Sequence, residues 1–453
     1  MGVGSWTRFL IMKNILILAY DFPPYKSVGA QRPFSWANDL NNQGYKPIIV
    51  TRQWRESTEG NIDYISNSES SEVVFENKGI YTQYSTPYQS NLSNRLLLKY
   101  GSNRFVLFRK VLSGILEILQ FFLNVGPKKE IYKCANDLLK TGLKVDAILA
   151  TGEPFVLFHF ASKLSLKYNI PWIADYRDPW SQNVVRQKNK LFFLFIKKME
   201  IKVLKNVSGV TTVSELFKKK ILELNDQLDI KVIPNGFDIS NLISVFNNFE
   251  EDVNSLNIGF GGSIYQWHPL KIVIKVINEV VESGNCRITL NFYGVSKEQF
   301  DREIKGLNLV SGFTINFNSR VSNQLLIKKL RENSILLLFN DYSIIGTKIY
   351  DYLAVSRKVF LCFTNDAESK ILKDEFFHFE DDNISLQQEL LEKTGAGIAM
   401  ENREVLKIEL KVAWTELQTT KKVGYTNSDI SIYSRQHSNK LLGDFIEKSI
   451  RPV

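Results

Sequence analysis

The chain has 453 residues, which is too long for one compact core and fits two domains of ordinary size. Hydrophobic residues make up 44% of it and prolines number only 12, so the chain is globular. Its formal charge of +9 and pI near 9.1 indicate an anionic partner. A phosphorylated substrate, an anionic membrane surface and nucleic acid all fit that charge.

The cysteines and the apolar runs exclude several classes of protein. Cys134, Cys286 and Cys362 are widely spaced and form no C-x-x-C pair, so neither a disulfide framework nor a zinc site is predicted and a reduced cytosol is favoured. No run of eighteen uncharged apolar residues is present, so no spanning helix is predicted. Residues 1–11 lack the apolar core of a signal peptide, and we hypothesise that Met12 is the true start.

The first half of the chain alternates apolar runs with helical patterns. Residues 15–20 form a continuous apolar run typical of a buried parallel strand, and a loop, a helix near 31–41 and a strand at 46–51 complete a βαβ unit. Residues 54–76 are predicted to be a surface excursion. Further strands are predicted at 147–151, 172–175 and 210–213. This alternation predicts a parallel, doubly wound sheet.

Residues 91–125 combine basic and apolar side chains at helical spacing. The basic residues are Arg95, Lys99, Arg104, Arg109 and Lys110. The pattern fits a helix that lies on an anionic bilayer, and it fits equally an amphipathic helix packed on its own domain. The sequence leaves both interpretations open.

A change of composition near Pro234 marks a domain boundary, since the residues from there to about 254 are polar. We predict an N-terminal domain at 12–250, a C-terminal domain at 251–430, and a terminal helix within 431–453 that crosses back to the first domain. Strands of the second domain are predicted at 258–260, 287–293, 313–317, 335–339, 359–363 and 396–400. The predicted fold class is α/β, with two doubly wound, Rossmann-like domains.

The most informative motif of the second domain begins at Gly346, between the predicted strands at 334–340 and 358–363. A helix that opens there directs the N–H groups of Thr347 and Lys348, the helix dipole and the Lys348 ammonium to one point, which suits a phosphate. Asp351 lies one turn later, where it can accept hydrogen bonds from a ribose. The alternative is an ordinary helix with a solvated Asp351.

Polar residues of the first domain also follow its predicted strands. Gly29 lies beyond the first strand, where glycine permits a close approach by a sugar or phosphate, or is a simple turn residue. Glu153, Asp175 and Asp178, with Arg177 between the last two, are expected at the same sheet edge. Alternatively Asp178 caps a helix and Arg177 pairs with Asp175.

Five strings in order resemble bacterial glycosyltransferases of the family 4 type, which have the GT-B fold of two Rossmann-like domains facing across a cleft. They are Asp21-Phe22-Pro23-Pro24 with Gly29, Thr151-Gly152-Glu153-Pro154-Phe155, Asp175-Tyr176-Arg177-Asp178-Pro179-Trp180, Val232-Ile233-Pro234-Asn235-Gly236-Phe237-Asp238, and Gly346-Thr347-Lys348 with Asp351-Tyr352-Leu353-Ala354. The match in order and spacing extends over nearly the whole chain.

The resemblance implies transfer of a sugar from a nucleoside diphosphate donor to an acceptor hydroxyl, with retained configuration and without a metal or other cofactor. The candidate catalytic residues are Asp178, Arg177 and Glu153. The candidate donor-binding residues are Gly29, Gly262, Ser263, Lys271, Gly346, Thr347, Lys348 and Asp351.

The chain departs from the family pattern at two places. Relatives carry an Arg or Lys pair near the glycine loop, where this chain has residues 265–271 with Lys271 as the candidate substitute. Ser343 stands where relatives have an acid near the donor hexose, so the donor sugar is left open. The acidic run at 380–382 is interpreted as a solvated loop rather than a metal site.

The expected partners are a nucleotide-sugar donor, a glycan or lipid-linked acceptor of surface polysaccharide synthesis, and an anionic membrane reached through 91–125. The implied location is the cytoplasm, at the inner face of the plasma membrane. Nucleic acid is not expected, because no recognition motif accompanies the charge. A dinucleotide enzyme is disfavoured, because neither domain has G-x-G-x-x-G after its first strand. The rival hypothesis is a catalytically silent GT-B-like protein of a polysaccharide assembly machine.

Overall fold

The computed structural model describes residues 12–56, 58, 61–182, 190–239, 250–284, 286–341, 345–374, 385–426 and 429–451. The hypotheses on residues 1–11, Ser343 and 380–382 therefore lie outside the described residues. The described chain forms two compact units. Unit 1 contains the residues up to Pro234 and those from Ser438 onward, and unit 2 is Asn235–His437.

Unit 1 is built on an eight-stranded sheet of order β3-β4-β2-β1-β5-β6-β7-β8. All neighbouring strands are parallel except the antiparallel pair of β3 and β4. The strands are β1 Lys13–Leu18, β2 Tyr45–Arg52, β3 Val74–Asn77, β4 Thr82–Thr86, β5 Ala147–Gly152, β6 Trp172–Tyr176, β7 Gly209–Thr212 and β8 Ile230–Val232.

The helices of unit 1 cover both faces of this sheet. They are α1 Val28–Asp39, α2 Asn61–Ile65, α3 Leu92–Tyr100, α4 Val106–Leu119, α5 Lys129–Lys140, α6 Val156–Tyr168, α7 Lys190–Leu204 and α8 Glu215–Leu222, with a 3-10 turn at Leu40–Gln43. The continuous apolar run of β1 is required because side chains on both faces are buried, as at Leu16 and Ile17.

Unit 2 has a six-stranded, wholly parallel sheet of order β11-β10-β9-β12-β13-β14. Its strands are β9 Leu256–Gly261, β10 Ile288–Tyr293, β11 Phe313–Asn318, β12 Ile335–Phe339, β13 Lys358–Cys362 and β14 Gly397–Met400. Its helices are α9 Leu270–Gly284, α10 Lys297–Glu303, α11 Asn323–Arg331, α12 Lys348–Val355, α13 Ala367–Asp374, α14 Leu386–Thr394 and α15 Arg403–Thr420, with a 3-10 turn at Ser431–Tyr433.

The terminal helix α16, Arg435–Ile450, begins in unit 2 and continues into unit 1. Its buried residues Leu442, Phe445 and Ile446 join the core on one face of the β1 sheet, with Ile15 and Ile17. The Tyr45 hydroxyl donates a hydrogen bond to the Gly443 carbonyl at 2.9 Å. Unit 1 is therefore completed by residues from the end of the chain.

The predicted α/β class with two doubly wound parallel-sheet domains is confirmed. The excursion predicted at 54–76 contains α2 and the start of β3, which the sequence analysis did not predict. β3 lies at the edge of the sheet, and its Val74 and Phe75 are exposed, so it lacks the buried pattern of the central strands. The functions predicted for the two domains stay predictions.

The segment at 91–125 folds as two helices, α3 and α4, rather than one. No residue of α4 is buried. Its large apolar side chains Leu107, Phe108, Val111 and Ile115 are 79%, 53%, 55% and 48% exposed. Among the described residues, no helix combines the length and hydropathy needed to cross a bilayer.

Candidate functional site

The strand order of unit 2 reverses between β9 and β12. At such a reversal the connections from the two neighbouring strands run in opposite directions and leave a crevice beyond the carboxyl ends of the strands. Ligands of doubly wound sheets bind in this crevice. The residues that follow β9 and β12 are Gly262 and, after a short connection, Lys348 at the start of α12. The topology therefore places the two predicted donor-binding motifs of this unit at one point.

Gly262 and Lys348 are in contact. Gly262 has φ of +94°, a conformation that favours glycine, and a Cβ there would lie 3.3 Å from Lys348 Cε. The Lys348 Nζ lies 4.0 Å from the centre of the Phe260 ring, a cation–π distance. Burial lowers the Lys348 pKa to about 8, while the nearby Asp341 acts to raise it. The ammonium is thus poorly solvated and not neutralised by a described salt bridge, which suits an anionic ligand.

The N-terminus of α12 is open at this point. Thr347 is its N-cap and makes no side-chain capping bond, so the first N–H groups of the helix keep their capacity to donate. An added Cβ at Gly346 would meet no atom within 4 Å, so no described neighbour requires glycine there. The helix has eight residues, and its dipole favours an anion at the end that carries Lys348.

Asp351 lies one turn into α12 and is 8% exposed. Its Oδ2 accepts a hydrogen bond from Asn323 Nδ2 at 3.1 Å, whereas its Oδ1 is buried without a hydrogen-bond partner. Burial raises the Asp351 pKa to about 6, against the opposing effects of Arg435 and Asn323. A buried acceptor left unpaired is costly, so Asp351 Oδ1 has the capacity to accept a hydrogen bond that no described residue supplies.

A cluster around Asp341 adjoins this site and was missed by the sequence analysis. Asp341 Oδ1 accepts from Trp267 Nε1 at 3.2 Å and lies 3.5 Å from His268 Nε2. The Tyr265 and Trp267 rings are stacked, with centroids 4.5 Å apart. Burial acts to raise the Asp341 pKa, but His268 and the neighbouring lysines hold it below its usual value. Asp341 is the second residue after β12, a position that could have revealed it.

Two further predicted donor-binding residues of unit 2 lie outside these contacts. Ser263 is exposed beside Gly262. Lys271 is exposed on the first turn of α9, where its Nζ donates to the Lys305 carbonyl at 3.0 Å. No described contact joins either residue to Lys348 or Asp351, and their donor-binding role stays a prediction.

The strand order of unit 1 reverses at β1, which lies between β2 and β5. Gly29, the second residue of α1, lies against Asp21 and Arg177. A Cβ on Gly29 would lie 2.5 Å from Arg177 Nη1 and 2.7 Å from Asp21 Oδ2. Glycine thus makes room for two side chains of the chain itself, and Gly29's role toward a donor stays a prediction.

Asp21 and Arg177 are oriented by their own hydrogen bonds. Ser27 Oγ donates to Asp21 Oδ2 at 2.9 Å, and Arg177 Nε donates to the Gly152 carbonyl at 2.8 Å. Asp21 Oδ1 is buried without a partner, and burial raises the Asp21 pKa although Ser27 and Arg177 oppose it. The sequence analysis missed Asp21 as a candidate, although it stands beyond β1 as Asp178 stands beyond β6.

Asp178 and Glu153 are partly buried beyond β6 and β5. Burial raises the pKa of Asp178, and the adjacent Arg177 acts to lower it. The edge of the sheet therefore carries Asp21, Glu153, Arg177 and Asp178 on neighbouring strands. Their catalytic assignment stays a prediction.

Asp175 does not belong to this group. It is fully buried in an ion pair with Arg32, whose Nη2 lies 2.8 Å from Asp175 Oδ1. Thr151 and Thr211 hydroxyls donate to the same carboxylate at 2.9 and 2.7 Å. The alternative pairing of Arg177 with Asp175 is therefore wrong, because Asp175 points into the sheet where α1 supplies its cation.

A cavity of about 500 Å³ opens beside the loop that follows β1 in unit 1. It is bounded by Pro23, Pro24, Trp54, Tyr81 and Gln83, together with polar residues of the 63–70 connection. Among the described residues of both units, no group of three or more His, Cys, Asp or Glu side chains is arranged to hold a metal ion.

Solved structures resemble the chain over nearly its full length. The sucrose-phosphate synthase of Thermosynechococcus elongatus is 13% identical, with a TM-score of 0.56 over 96% of this chain and 98% of that one. The catalytic domain of Arabidopsis thaliana starch synthase IV, solved with ADP and acarbose, is 12% identical with a TM-score of 0.53 over 97% and 99%. A glycosyltransferase from Rickettsia africae is 15% identical, with a TM-score of 0.51 over 98% and 100%.

The chain has the GT-B fold. At these identities the likeness establishes the fold, and the predicted GT-B resemblance is confirmed to that extent. No protein-family model and no curated protein sequence matches the chain. Membership of the family 4 type stays a prediction.

Proposed function

We propose that this chain is a glycosyltransferase that moves a sugar from a nucleoside diphosphate donor to an acceptor hydroxyl. The observation that carries the proposal is the pairing of Lys348 with an open helix end and the unpartnered Asp351 Oδ1, at the topological switch point of unit 2. One end of this arrangement fits a diphosphate and the other fits a ribose hydroxyl. The starch synthase of the same fold was solved with ADP.

In this proposal the fixed positive groups of α12 stabilise the departing diphosphate. The negative charge that develops on the leaving oxygen meets the Lys348 ammonium and the N–H groups after Thr347, which are oriented before reaction. Donors arranged in this way are worth roughly a hundredfold or more in rate per group. The proposed reaction therefore needs no metal ion. We also propose that the transferred sugar retains its anomeric configuration.

In unit 1 we assign the acceptor to the sheet edge that carries Arg177, Asp178 and Glu153. Arg177 is held by the Gly152 carbonyl and lies against Gly29, so its guanidinium has a defined direction. Carboxylates beside it suit hydrogen bonds to sugar hydroxyls. Burial raises the pKa of Asp178 above the usual value of an aspartate, which favours a carboxyl group that exchanges a proton more readily than an exposed one.

We further propose that α3 and α4 place the enzyme on an anionic bilayer. Leu107, Phe108 and Val111 present an apolar face to solvent, and Arg95, Lys99, Arg104 and Lys110 around it are exposed. Residues 91–125 contain five basic residues and one acid, Glu117. Exposed apolar area rimmed by cations is the combination that binds anionic lipid surfaces.

This location suits an acceptor carried by a lipid. We therefore propose a lipid-linked glycan or surface polysaccharide precursor as the acceptor class, and the inner face of the plasma membrane as the location. We also propose, from the sequence motifs, that the enzyme is of the family 4 type.

Two measurements test the proposal. In a thermal-shift panel, one class of nucleoside diphosphate at about a hundred times its dissociation constant should add about 2.7 kcal/mol to the free energy of unfolding. The matching nucleotide sugars should then be hydrolysed or transferred by the purified protein. Stabilisation by a nucleotide without any turnover would support the silent GT-B-like protein instead. No stabilisation by any member of the panel would refute both.

A further inference from the structure

Glu200 is a buried acid in unit 1 with no part in the proposed reaction. It lies on α7 and is 0% exposed. Its Oε1 accepts a hydrogen bond from the Tyr176 hydroxyl at 2.9 Å, and its Oε2 accepts one from the Ser181 backbone N–H at 2.9 Å. No described residue forms an ion pair with it. A carboxylate buried without a cation is retained at a cost in stability, which calls for an explanation.

Both partners of Glu200 flank the candidate catalytic residues. Tyr176 is the last residue of β6, and Ser181 follows four residues after Arg177. One carboxylate thus joins the two ends of the segment 176–181, which contains Arg177 and Asp178. The Ser181 bond is made to the backbone, so it fixes the path of the segment whatever its side chain is.

Aromatic packing also holds this segment, beside Ser181. The Trp180 ring is stacked on Phe155, with centroids 5.2 Å apart and planes at 5°, and on Phe121 at 5.5 Å and 25°. Arg177 itself is tied to Gly152. Glu200 adds the hydrogen bonds that join the first and last residues of the segment to each other, which neither the stacking of Trp180 nor the Arg177 bond does.

The protonation of Glu200 is also unusual. Burial raises its pKa to about 7, although hydrogen bonds from Ser181, Tyr176 and Gln182 oppose this. The groups that set this pKa are all uncharged at pH 7. The carboxylate therefore accepts both bonds above about pH 7 and loses one of its acceptor oxygens on protonation below it.

We propose that Glu200 is a positioning residue that orients Arg177 and Asp178 by clamping the segment 176–181 from α7. The expected effect on rate rests on the proposed function. The effect of Glu200 on the conformation of the segment 176–181 does not depend on it. A misplacement of about 1 Å at catalytic groups costs up to about a hundredfold in rate. Glu200→Ala should therefore lower kcat by about tenfold to a hundredfold and leave the affinity for the nucleoside diphosphate within about twofold.

The test uses the full chain labelled with 5-fluorotryptophan. The chain has seven tryptophans, and Trp180→Phe identifies the ¹⁹F resonance of Trp180 by its loss. Glu200→Ala should shift and broaden that resonance. In the parent protein the resonance should move with pH around 7, and in Glu200→Gln this step should be absent, because the amide does not titrate. Glu200→Gln should also keep most of the parent rate, since its carbonyl still accepts the Ser181 N–H.

Glu251→Gln is the matched control, because Glu251 is a buried acid of unit 2 bonded to Arg357 at 2.6 Å. It should leave the Trp180 resonance unchanged. An unchanged Trp180 resonance in Glu200→Ala, or a step near pH 7 that persists in Glu200→Gln, would overturn the clamp. If Glu200→Ala does not fold, the pH titration of Glu200→Gln decides. If the parent turns over no nucleotide sugar while the resonance behaves as expected, the proposed function fails and the clamp stands.

Discussion

Asp351 should make the folded protein less stable when it is ionised. Burial raises its pKa from 3.8 to about 6, so the folded chain binds this proton more tightly than the unfolded chain does. The stabilising effect of the proton is complete below the unfolded pKa and disappears as pH rises through about 6. Asp351→Asn should therefore raise the free energy of unfolding at pH 8 by up to about 3 kcal/mol, with little gain at pH 4. Urea denaturation at both pH values measures this, with the exposed Asp301→Asn as control.

The same substitution should weaken donor binding. Hydrogen bonds to charged groups are worth about 1.5 to 3 kcal/mol, so calorimetry should show nucleoside diphosphate affinity lowered by roughly ten- to a hundredfold in Asp351→Asn. Higher stability with lower affinity is the signature of a residue kept for ligand binding. Equal affinity in the parent and the variant would place the donor site elsewhere.

Lys348 should make nucleotide binding dependent on pH. Burial lowers its pKa to about 8, so the ammonium is mostly protonated at pH 7 and mostly neutral at pH 9. Nucleoside diphosphate affinity should fall by about tenfold between these values, because the neutral amine attracts no anion. Lys348→Arg should remove this change, since arginine stays protonated. Lys348→Ala should weaken the binding of the nucleoside diphosphate far more than that of the bare nucleoside. If the affinity of Lys348→Ala still depends on pH, the titrating group is another residue.

The positions of residues within one sequence motif could be predicted from the sequence. The contacts between residues from different strands and helices could not. Lys348 and Asp351 follow from their spacing on one helix after a strand. Asp175 looks like its neighbour Asp178 in sequence, and only the approach of Arg32 from α1 shows that its carboxylate is buried in the sheet. Asp341 was missed because its partners Trp267 and His268 come from the loop after another strand.

In our proposal, α3 and α4 form the surface that binds an anionic membrane. Each basic residue near an anionic surface contributes on the order of 1 kcal/mol, an effect that salt weakens. Reversal of Arg95, Lys99 and Arg104 to Glu should lower partitioning onto vesicles rich in phosphatidylglycerol by about a hundredfold or more at low salt. Vesicle sedimentation checks this, and circular dichroism checks the fold.

The control reverses the same charge on another helix of unit 1. Lys129, Lys133 and Lys140 are exposed on α5, and their change to Glu alters net charge equally. If α3 and α4 form the membrane surface, this variant should still sediment with vesicles. If both variants lose vesicle binding equally, or if the parent does not bind vesicles, α3 and α4 are helices packed on their own domain and not a membrane surface.

Central elements were predicted better than edge elements. The strands β1, β5, β6 and β12 are buried on both faces, and that burial is visible as continuous apolar runs. β3 at the sheet edge carries exposed Val74 and Phe75 amid polar residues, so its pattern resembles a loop. The division of 91–125 into two helices was also missed, because the break at Gly101 lies within a basic and apolar pattern that continues through it.

The terminal helix α16 should control the stability of unit 1 alone. Leu442 is 0% exposed in the core beside Ile15 and Ile17. Leu442→Ala should lower the free energy of unfolding of unit 1 by about 2–5 kcal/mol, because it removes apolar contacts and leaves a cavity. Calorimetry should show the transition of unit 1 shifted down and that of unit 2 unchanged. Ile432→Ala, at an exposed position, should shift neither, and a common shift of both transitions would show that the units unfold together.

The return of α16 to unit 1 has a consequence for biosynthesis. The ribosome makes about 200 residues of unit 2 between Pro234 and Ser438, which takes roughly 10 to 40 s at common elongation rates. During that interval the face of the nascent sheet that carries Ile15, Ile17 and Ile49 is covered by α1 but lacks α16. The growing chain therefore keeps part of this apolar surface exposed until α16 is synthesised, a state that favours aggregation, and unit 2 is the first part able to finish folding.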